Sequence, residues 1–401
     1  MSDGNVEAIT PAPRLLVVDD NEDNRYTLIL RLEIEGYLDI TTADDGEAAL
    51  ELLRTRQFDL VLLDVMMPKV DGYQVLEQLK AEGRLHNIPV IMISALNEID
   101  SVVRCIALGA VDYLSKPFDP VLLKARVGAC LEKKRLRDAV STHLARIEEE
   151  LESARQLQLS MVPTVFPPAT AQRPVEIFAA MLPAREVGGD LYDFYETEDG
   201  TLCFLIGDVS GKGVASAMFM AQTKHLIRVV TRLLHDPDGG LADPAAVIEI
   251  VNRELCQDNA SMMFVTLFFA MLDPQSGDLR FTNAGHNPPY QLIGDQIIPV
   301  TACKGRPLGV RTSSVYETGK LNLAPGSALY IYTDGVTEAE NRKQDLFTEE
   351  RLEAVLREAG DGSPQALVDA VTEAVRHFSN GAAQSDDITA MALRRVATSP
   401  G

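Results

Sequence analysis

Two fold classes are predicted in tandem: a doubly wound α/β domain, then an α+β layered sandwich, with one long helix between them. Three observations carry this reading. Short runs of Val, Ile and Leu alternate with amphipathic stretches over residues 14–125, as in a fully buried parallel sheet. A helical pattern then runs on from Pro120 until Pro163. From Val175 the apolar runs are separated by turn signals and interrupted by helical pairs, the pattern of antiparallel hairpins rather than a parallel sheet.

Composition narrows the function classes. A length of 401 residues favours two or three domains, and 46% hydrophobic residues support real cores. A net charge of −22 argues against binding nucleic acid or an anionic membrane surface, which needs clustered Lys and Arg. The cysteines (Cys105, Cys130, Cys203, Cys256, Cys303) lack C-x-x-C spacing and read as reduced structural residues. No apolar run approaches the ~20 residues of a membrane helix. Residues 1–13 lack the features of a signal peptide and are expected to be a mobile tail, so a cytoplasmic location is expected.

In the first domain, strands are predicted at 15–18, 59–63 and 89–93, with helices over Asn24–Glu35 and Glu47–Arg56. A doubly wound sheet places its site past the carboxyl ends of its strands. The polar residues there are Asp19, Asp20, Asp64, Ser94 and Lys116. The aspartates can hold Mg²⁺ through hard oxygens while Asp64 attacks phosphorus. Lys116 would neutralise phosphoryl oxygens, and Ser94 would donate a hydrogen bond to the added group. The plainer alternative makes Asp19 and Asp20 a helix cap and Lys116 a solvated turn residue.

Residues 14–125, with VVDDN, LLDVMMPKVDG, IMISA and DYLSKPF, resemble a two-component receiver domain of flavodoxin-like fold. The resemblance implies phosphorylation of Asp64 by a histidine kinase. It also implies Mg²⁺ held by Asp19, Asp20, Asp64 and the Met66 carbonyl, with Ser94 and Tyr113 as the switch pair.

Over the linker, 126–163, Val140, Leu144, Ile147, Leu151, Ala154, Gln158 and Met161 follow a 4–3 spacing. This predicts a parallel dimeric coiled coil, hence a homodimer, with Gln158 able to set register. An amphipathic helix packed on its own domain is the rival. Pro163 and Pro167-Pro168 end the helix.

In the sandwich, strands are expected in VEIFAAM, TLCFLIGDV, FVTLFFAML, LRFTNAG and ALYIYTD, and helices at 214–234, 244–257, 348–359 and 364–379. The run from Leu202 to Gly213 ends in Asp208 and a Gly211/Gly213 loop, which places a carboxylate where backbone approaches closely. Alone, Asp208 could be a helix cap. In company with Val187-Gly188-Gly189-Asp190, Tyr332-Thr333-Asp334-Gly335 and Asp386-Asp387-Ile388-Thr389 it suggests carboxylates gathered from four strand ends. Such a cluster suits two Mg²⁺ or Mn²⁺ ions and phosphoryl hydrolysis by an activated water. There is no nucleophile elbow or Cys–His pair to suggest a covalent route.

Residues 174–396 resemble the bacterial PPM-type Ser/Thr phosphatases of the SpoIIE/RsbU class, on AREVGGDLYDF, IGDVSGKGVASA, TNAGHNPP, YTDGVTEA and SDDITAM. The resemblance implies an α-β-β-α sandwich. Its metals would be bound by Asp190 and Asp208, the Val209 carbonyl, Asp334 and Asp386, with Asp387 the less suited of its pair. Ala154–Pro163 resembles the helical switch preceding this class. Eukaryotic relatives carry Gly and a nearby His where Val209 and Ser210 stand, which leaves the general acid unassigned. His286 is a candidate for that role but also reads as a structural turn residue, and Arg185 could hold phosphate or be a surface charge. The class implies a phosphorylated STAS-domain anti-sigma antagonist as substrate, in a partner-switching pathway. The rival function is a phosphatase-like adaptor that binds a sigma-factor regulator without catalysis. A DNA-binding output is excluded by charge and by the lack of a helix-turn-helix.

Overall fold

The computed structural model describes residues 12–95, 99–185, 187–234, 243–257 and 259–396; residues 1–11 of the expected tail lie outside them. The chain divides into two compact units, Met1–Ile147 and Glu148–Gly401.

The first unit alternates strands and helices: β1 Arg14–Val18, α1 Glu22–Ile34, β2 Asp39–Ala43, α2 Gly46–Thr55, β3 Leu60–Asp64, α3 Gly72–Ala81, β4 Val90–Ser94, α4 Ile99–Leu108 and β5 Asp112–Ser115. All strand pairs are parallel, in the order β2-β1-β3-β4-β5. The two-residue period of a strand divides the apolar residues between two cores. Leu16, Val18, Val61, Leu63, Val90 and Met92 pack with α2, α3 and Cys105 of α4. Leu15, Val17, Leu60, Leu62, Ile91 and Ile93 face α1 and the start of α5 (Pro120–Met161). Asn21 caps α1 by accepting the Asn24 N–H, so the cap is neither Asp19 nor Asp20, and both remain for the site.

Helix α5 is one 42-residue element, and the division between the units falls within it. Val140, Leu144 and Ile147 expose about half of their surface or more (58%, 55% and 49%). Further along, Leu151, Ala154 and Met161 are half-buried and Gln158 is buried. The Gln158 carboxamide donates to the Gly188 carbonyl (2.9 Å) and accepts the Gly188 N–H (3.0 Å). Here the structure departs from the expectation: both polar ends of Gln158 are used inside the second unit, so it does not sit on an open helix seam.

The second unit contains β6 Val175–Leu182, β7 Leu191–Glu196, β8 Leu202–Val209, α6 Val214–Leu234, α7 Pro244–Leu255, β9 Val265–Leu272, β10 Asp278–Ala284, β11 Tyr290–Ile293, β12 Gln296–Pro299, β13 Gly319–Asn322, β14 Ala328–Tyr332, α8 Asp334–Thr337, α9 Glu349–Ala359, α10 Pro364–Ser379 and β15 Ile388–Arg395. Two antiparallel sheets form, β13-β10-β9-β8-β7 and β12-β11-β14-β15-β6. Strand alternation builds four layers. Leu202, Phe204 and Ile206 meet Leu329, Ile331 and Met391 between the sheets. Cys203 and Leu205 face α6 and α7, while Tyr330, Tyr332 and Ala390 face α9 and α10.

Antiparallel pairing refines the expectation of four strand ends. Asp190 precedes the start of β7, Asp208 is the penultimate residue of β8, Asp334 follows β14 and Asp386 precedes β15. Starts and ends alternate along one edge of an antiparallel sheet, so two beginnings and two endings converge.

Phe268 is fully buried between the sheets, against Phe204 (6.5 Å between ring centroids) and Phe281 (5.4 Å). Phe268→Ala is expected to lower the stability of the second unit by about 3–5 kcal/mol through the cavity it leaves. Chemical denaturation would measure this, and the unfolding of the first unit should be unaffected.

Candidate functional sites

The first site lies at the carboxyl end of the parallel sheet. Carboxylate oxygens of Asp19, Asp20 and Asp64 fall within 4.8 Å of one another. Lys116, just past β5, reaches Asp64 Oδ2 at 2.6 Å and Asp19 Oδ2 at 2.7 Å. Burial pushes the Asp64 carboxyl up, Lys116 opposes this, and Asp19 adds to it. Burial pulls the Lys116 ammonium down, but its bonds to Asp19 and Asp64 outweigh that and raise it. Ser94, fully buried at the end of β4, hydrogen-bonds Tyr113. The Met66 N–H approaches Asp64 Oδ1 at 3.4 Å. Three hard oxygen donors with one balancing ammonium fit a single Mg²⁺.

The second site forms where the two sheets of the second unit meet. Asp190 is almost fully buried, and its Oδ2 accepts the Thr333 hydroxyl at 2.8 Å. Burial and then the charge of Asp208 push its carboxyl well up. Burial, Asp334 and Asp386 push Asp208 up to about 7. Asp334 is raised by burial and then by Asp386. The Lys212 ammonium lies 3.0 Å from Asp386 Oδ2 and bonds the Ser385 carbonyl.

Asp387 faces the other way. Its carboxylate accepts the N–H groups of Ala184 (2.7 Å), Gly189 (2.6 Å) and Asp190 (3.4 Å), leaving Asp386 as the half-exposed member of the pair. Two glycines permit this closeness. A Cβ on Gly188 would lie 2.2 Å from the Asp387 carboxylate, and one on Gly335 would lie 1.9 Å from the Asp387 carbonyl.

His286 is buried, its Nδ1 3.0 Å from Thr266 Oγ1, and its backbone is clasped by Asn283. Burial lowers its imidazole to about 4, so it is neutral near pH 7, as suits a structural turn residue. Arg185 is exposed. Thr333, Lys212 and Glu338 were not singled out in the sequence. Partial burial, then the charges of Asp334 and Asp386, push the Glu338 carboxyl up. The sequence signal for Thr333 was its place beside Asp334 in YTDG.

Among the described residues, only Asp19, Asp20 and Asp64 bring three carboxylates within 4.8 Å of one another. In the second unit the hard oxygen donors, with carboxyls raised by burial and then by mutual repulsion, fit divalent cations.

The response regulator receiver domain family matches residues 15–128, and the family described as Stage II sporulation protein E (SpoIIE) matches residues 198–396, starting after Asp190. Protein IcfG of Synechocystis sp. (strain ATCC 27184 / PCC 6803 / Kazusa) is 31% identical over 266 residues, covering 61% of this chain and 41% of that protein. The probable transcriptional regulator ycf27 of Cyanidium caldarium is 43% identical over 125 residues, covering 31% of this chain and 49% of that protein. The chain thus spans less than half the length of these two curated relatives. The solved SiaA-PP2C domain of Pseudomonas aeruginosa aligns with a TM-score of 0.54 and 22% identity, over 63% of this chain and 98% of that one, which supports the PP2C-type fold. No helix among the described residues is long and apolar enough to cross a membrane.

The raised carboxyls have a thermodynamic consequence. A carboxyl whose folded pKa exceeds its ordinary value contributes stability below that ordinary value and loses it as pH rises through the folded one. For Asp208 this window runs from 3.8 to about 7. Metal-free protein is therefore expected to lose thermal stability across that window. Asp208→Asn should raise the metal-free midpoint above neutral pH and shrink the midpoint increase produced by Mn²⁺. Differential scanning fluorimetry checks both.

Proposed function

We propose that this chain, which matches the response regulator receiver family over residues 15–128 and the SpoIIE family over residues 198–396, is a metal-dependent protein serine/threonine phosphatase controlled by phosphorylation of Asp64. The observation that carries the reading is the convergence of Asp190, Asp208, Asp334 and Asp386 on one edge of the sandwich. An adaptor without catalysis would gain nothing from holding like charges together, since burial and repulsion oppose their ionisation.

In the receiver, an Asp64 oxygen attacks phosphorus and the donor's leaving group departs; a histidine kinase is the proposed donor. Lys116 offsets phosphoryl charge and Ser94 donates a hydrogen bond to the new group. Asp19, Asp20 and the Met66 carbonyl would hold Mg²⁺ with Asp64. In the phosphatase, Asp190, Asp208, the Val209 carbonyl, Asp334 and Asp386 would hold two Mn²⁺ or Mg²⁺ ions. When bound, those ions supply an activated water and neutralise phosphoryl charge. Thr333 orients the Asp190 carboxylate and Asp387 fixes the loop that carries it. The proposed substrate is a phosphorylated STAS-type anti-sigma antagonist in a partner-switching pathway, a reading supported by the SpoIIE match.

The proposed coupling element is α5. Its exposed 140–147 stripe would pair with a second copy in a cytoplasmic homodimer, and its far end grips Gly188, two residues before Asp190. A change in dimer packing that shifts this end would move the Asp190 loop.

Asp208→Asn and Asp334→Asn should each reduce hydrolysis of p-nitrophenyl phosphate to background while the fold, checked by circular dichroism, persists. Retained metal-dependent turnover would sink the carboxylate reading. Asp64→Asn should incorporate no acid-labile phosphoryl group from acetyl phosphate. Leu144→Asp should yield a monomer by sedimentation and remove the effect of beryllofluoride on the phosphatase rate; an unchanged oligomer and response would make α5 a tether only.

A further inference from the structure

Beside the second site, residues 303–313 form a loop whose cations stand apart from the acidic character of the chain. The side chains of Lys304, Arg306 and Arg311 are exposed, and none has an ionic partner among the described residues. The net charge of −22 makes unpaired cations in one loop a notable concentration.

The loop is firmly held. Gly305 donates to the Asn283 carbonyl at 2.8 Å, and Leu308 exchanges two backbone hydrogen bonds with Val265 (2.9 and 3.1 Å). Asn252, fully buried on α7, accepts the Gly309 N–H at 3.0 Å and donates to the Arg311 carbonyl at 2.8 Å. Asn259 adds a bond to the Gly309 carbonyl at 3.2 Å. A buried carboxamide committed to two backbone groups holds the segment from which the Arg311 side chain departs. The loop is also close to the carboxylates. Val265 pairs with Leu308 on one side and, in β8, with Val209 on the other, directly after Asp208. Two strand spacings put Leu308 roughly 10 Å from that backbone. A cavity of about 500 Å³ opens alongside, walled by Met262 and Phe264 opposite Val310 and Arg311.

We propose that Arg306 and Arg311, with the adjoining cavity, are a docking surface for acidic residues flanking the phosphorylated residue of the protein substrate. This rests on the phosphatase reading above. An acidic partner is repelled by most of this chain, and screening limits each charge to about 8–10 Å. Unpaired cations on a loop held next to the strand that carries Asp208 would therefore bias the direction of approach.

The test uses the full chain and fluorescein-labelled phosphoserine peptides of equal length, one flanked by Asp and Glu, the other by Gln and Ser. Binding is followed by anisotropy without Mn²⁺, and hydrolysis with Mn²⁺ beside p-nitrophenyl phosphate. The expectation is tighter binding of the acidic peptide, weakened about tenfold by Arg306→Glu/Arg311→Glu. High salt should erase the preference. The variant's kcat/KM should fall about tenfold for the acidic peptide and less than twofold for p-nitrophenyl phosphate. Equal binding of both peptides to the parent overturns the proposal, as does an equal loss from reversing an exposed cation of the opposite helical layer in Arg357→Glu on α9. A parent that prefers the acidic peptide but hydrolyses no phosphoester leaves the docking surface standing and removes the phosphatase reading instead.

Discussion

Asp387 accepts three backbone N–H groups where β15 begins, and the placement of Asp190 against the other carboxylates of the second unit depends on those bonds. The N–H groups of Ala184, Gly189 and Asp190 lie between β6 and β7, and the carboxylate just before β15 accepts all three. An ionised oxygen makes a stronger acceptor than a carbonyl, and burial magnifies the difference. With that loop pinned, Asp190 faces Asp208 across the β7–β8 pair, and the Thr333 hydroxyl reaches it from the other sheet. Gly188 and Gly335 are needed because both sheets press against Asp387 at distances no side chain could share.

The two sites solve the same electrostatic problem differently. In the receiver, the Lys116 ammonium bonds two of the three aspartates, so the carboxylates have a partner within the chain. In the sandwich, Lys212 pairs with Asp386 at the rim, while burial and mutual repulsion still raise Asp190, Asp208 and Asp334. A site left with surplus negative charge favours cations, and the cost to folding is the usual trade of stability for function. His286, neutral and enclosed, lies outside that exchange.

Helix α5 shows how one periodic pattern can serve two environments. The same 4–3 repeat is solvent-exposed at Val140, Leu144 and Ile147, yet packs on the second unit from Leu151 onward. An apolar stripe specifies that a face must be covered, and says nothing about what covers it. Gln158 carries the distinction: a polar residue on the stripe suits a register-setting seam, but it equally suits a buried amide that completes the hydrogen bonds of Gly188.

Local signals were enough for much of this protein. Runs such as LLVV and FVTLFFAML, and helices such as 244–257 and 364–379, are read from neighbours in sequence, because propensity and side-chain period act over a few residues. The aspartates were legible for the same reason, each standing beside glycine or at the limit of an apolar run. The α1 cap at Asn21 rather than Asp19 or Asp20 was settled by the structure. Tertiary structure alone decided which member of Asp386-Asp387 turns toward the Gly188–Asp190 backbone, and that Thr333 bonds Asp190. It also decided the roles of Lys212, Glu338 and Gln158, whose partners lie 30 to more than 170 residues away or are set by the meeting of two sheets. Those choices turn on the direction of a side chain across a gap of a few ångströms. Such directions follow from how two sheets pack, which no short window of sequence encodes.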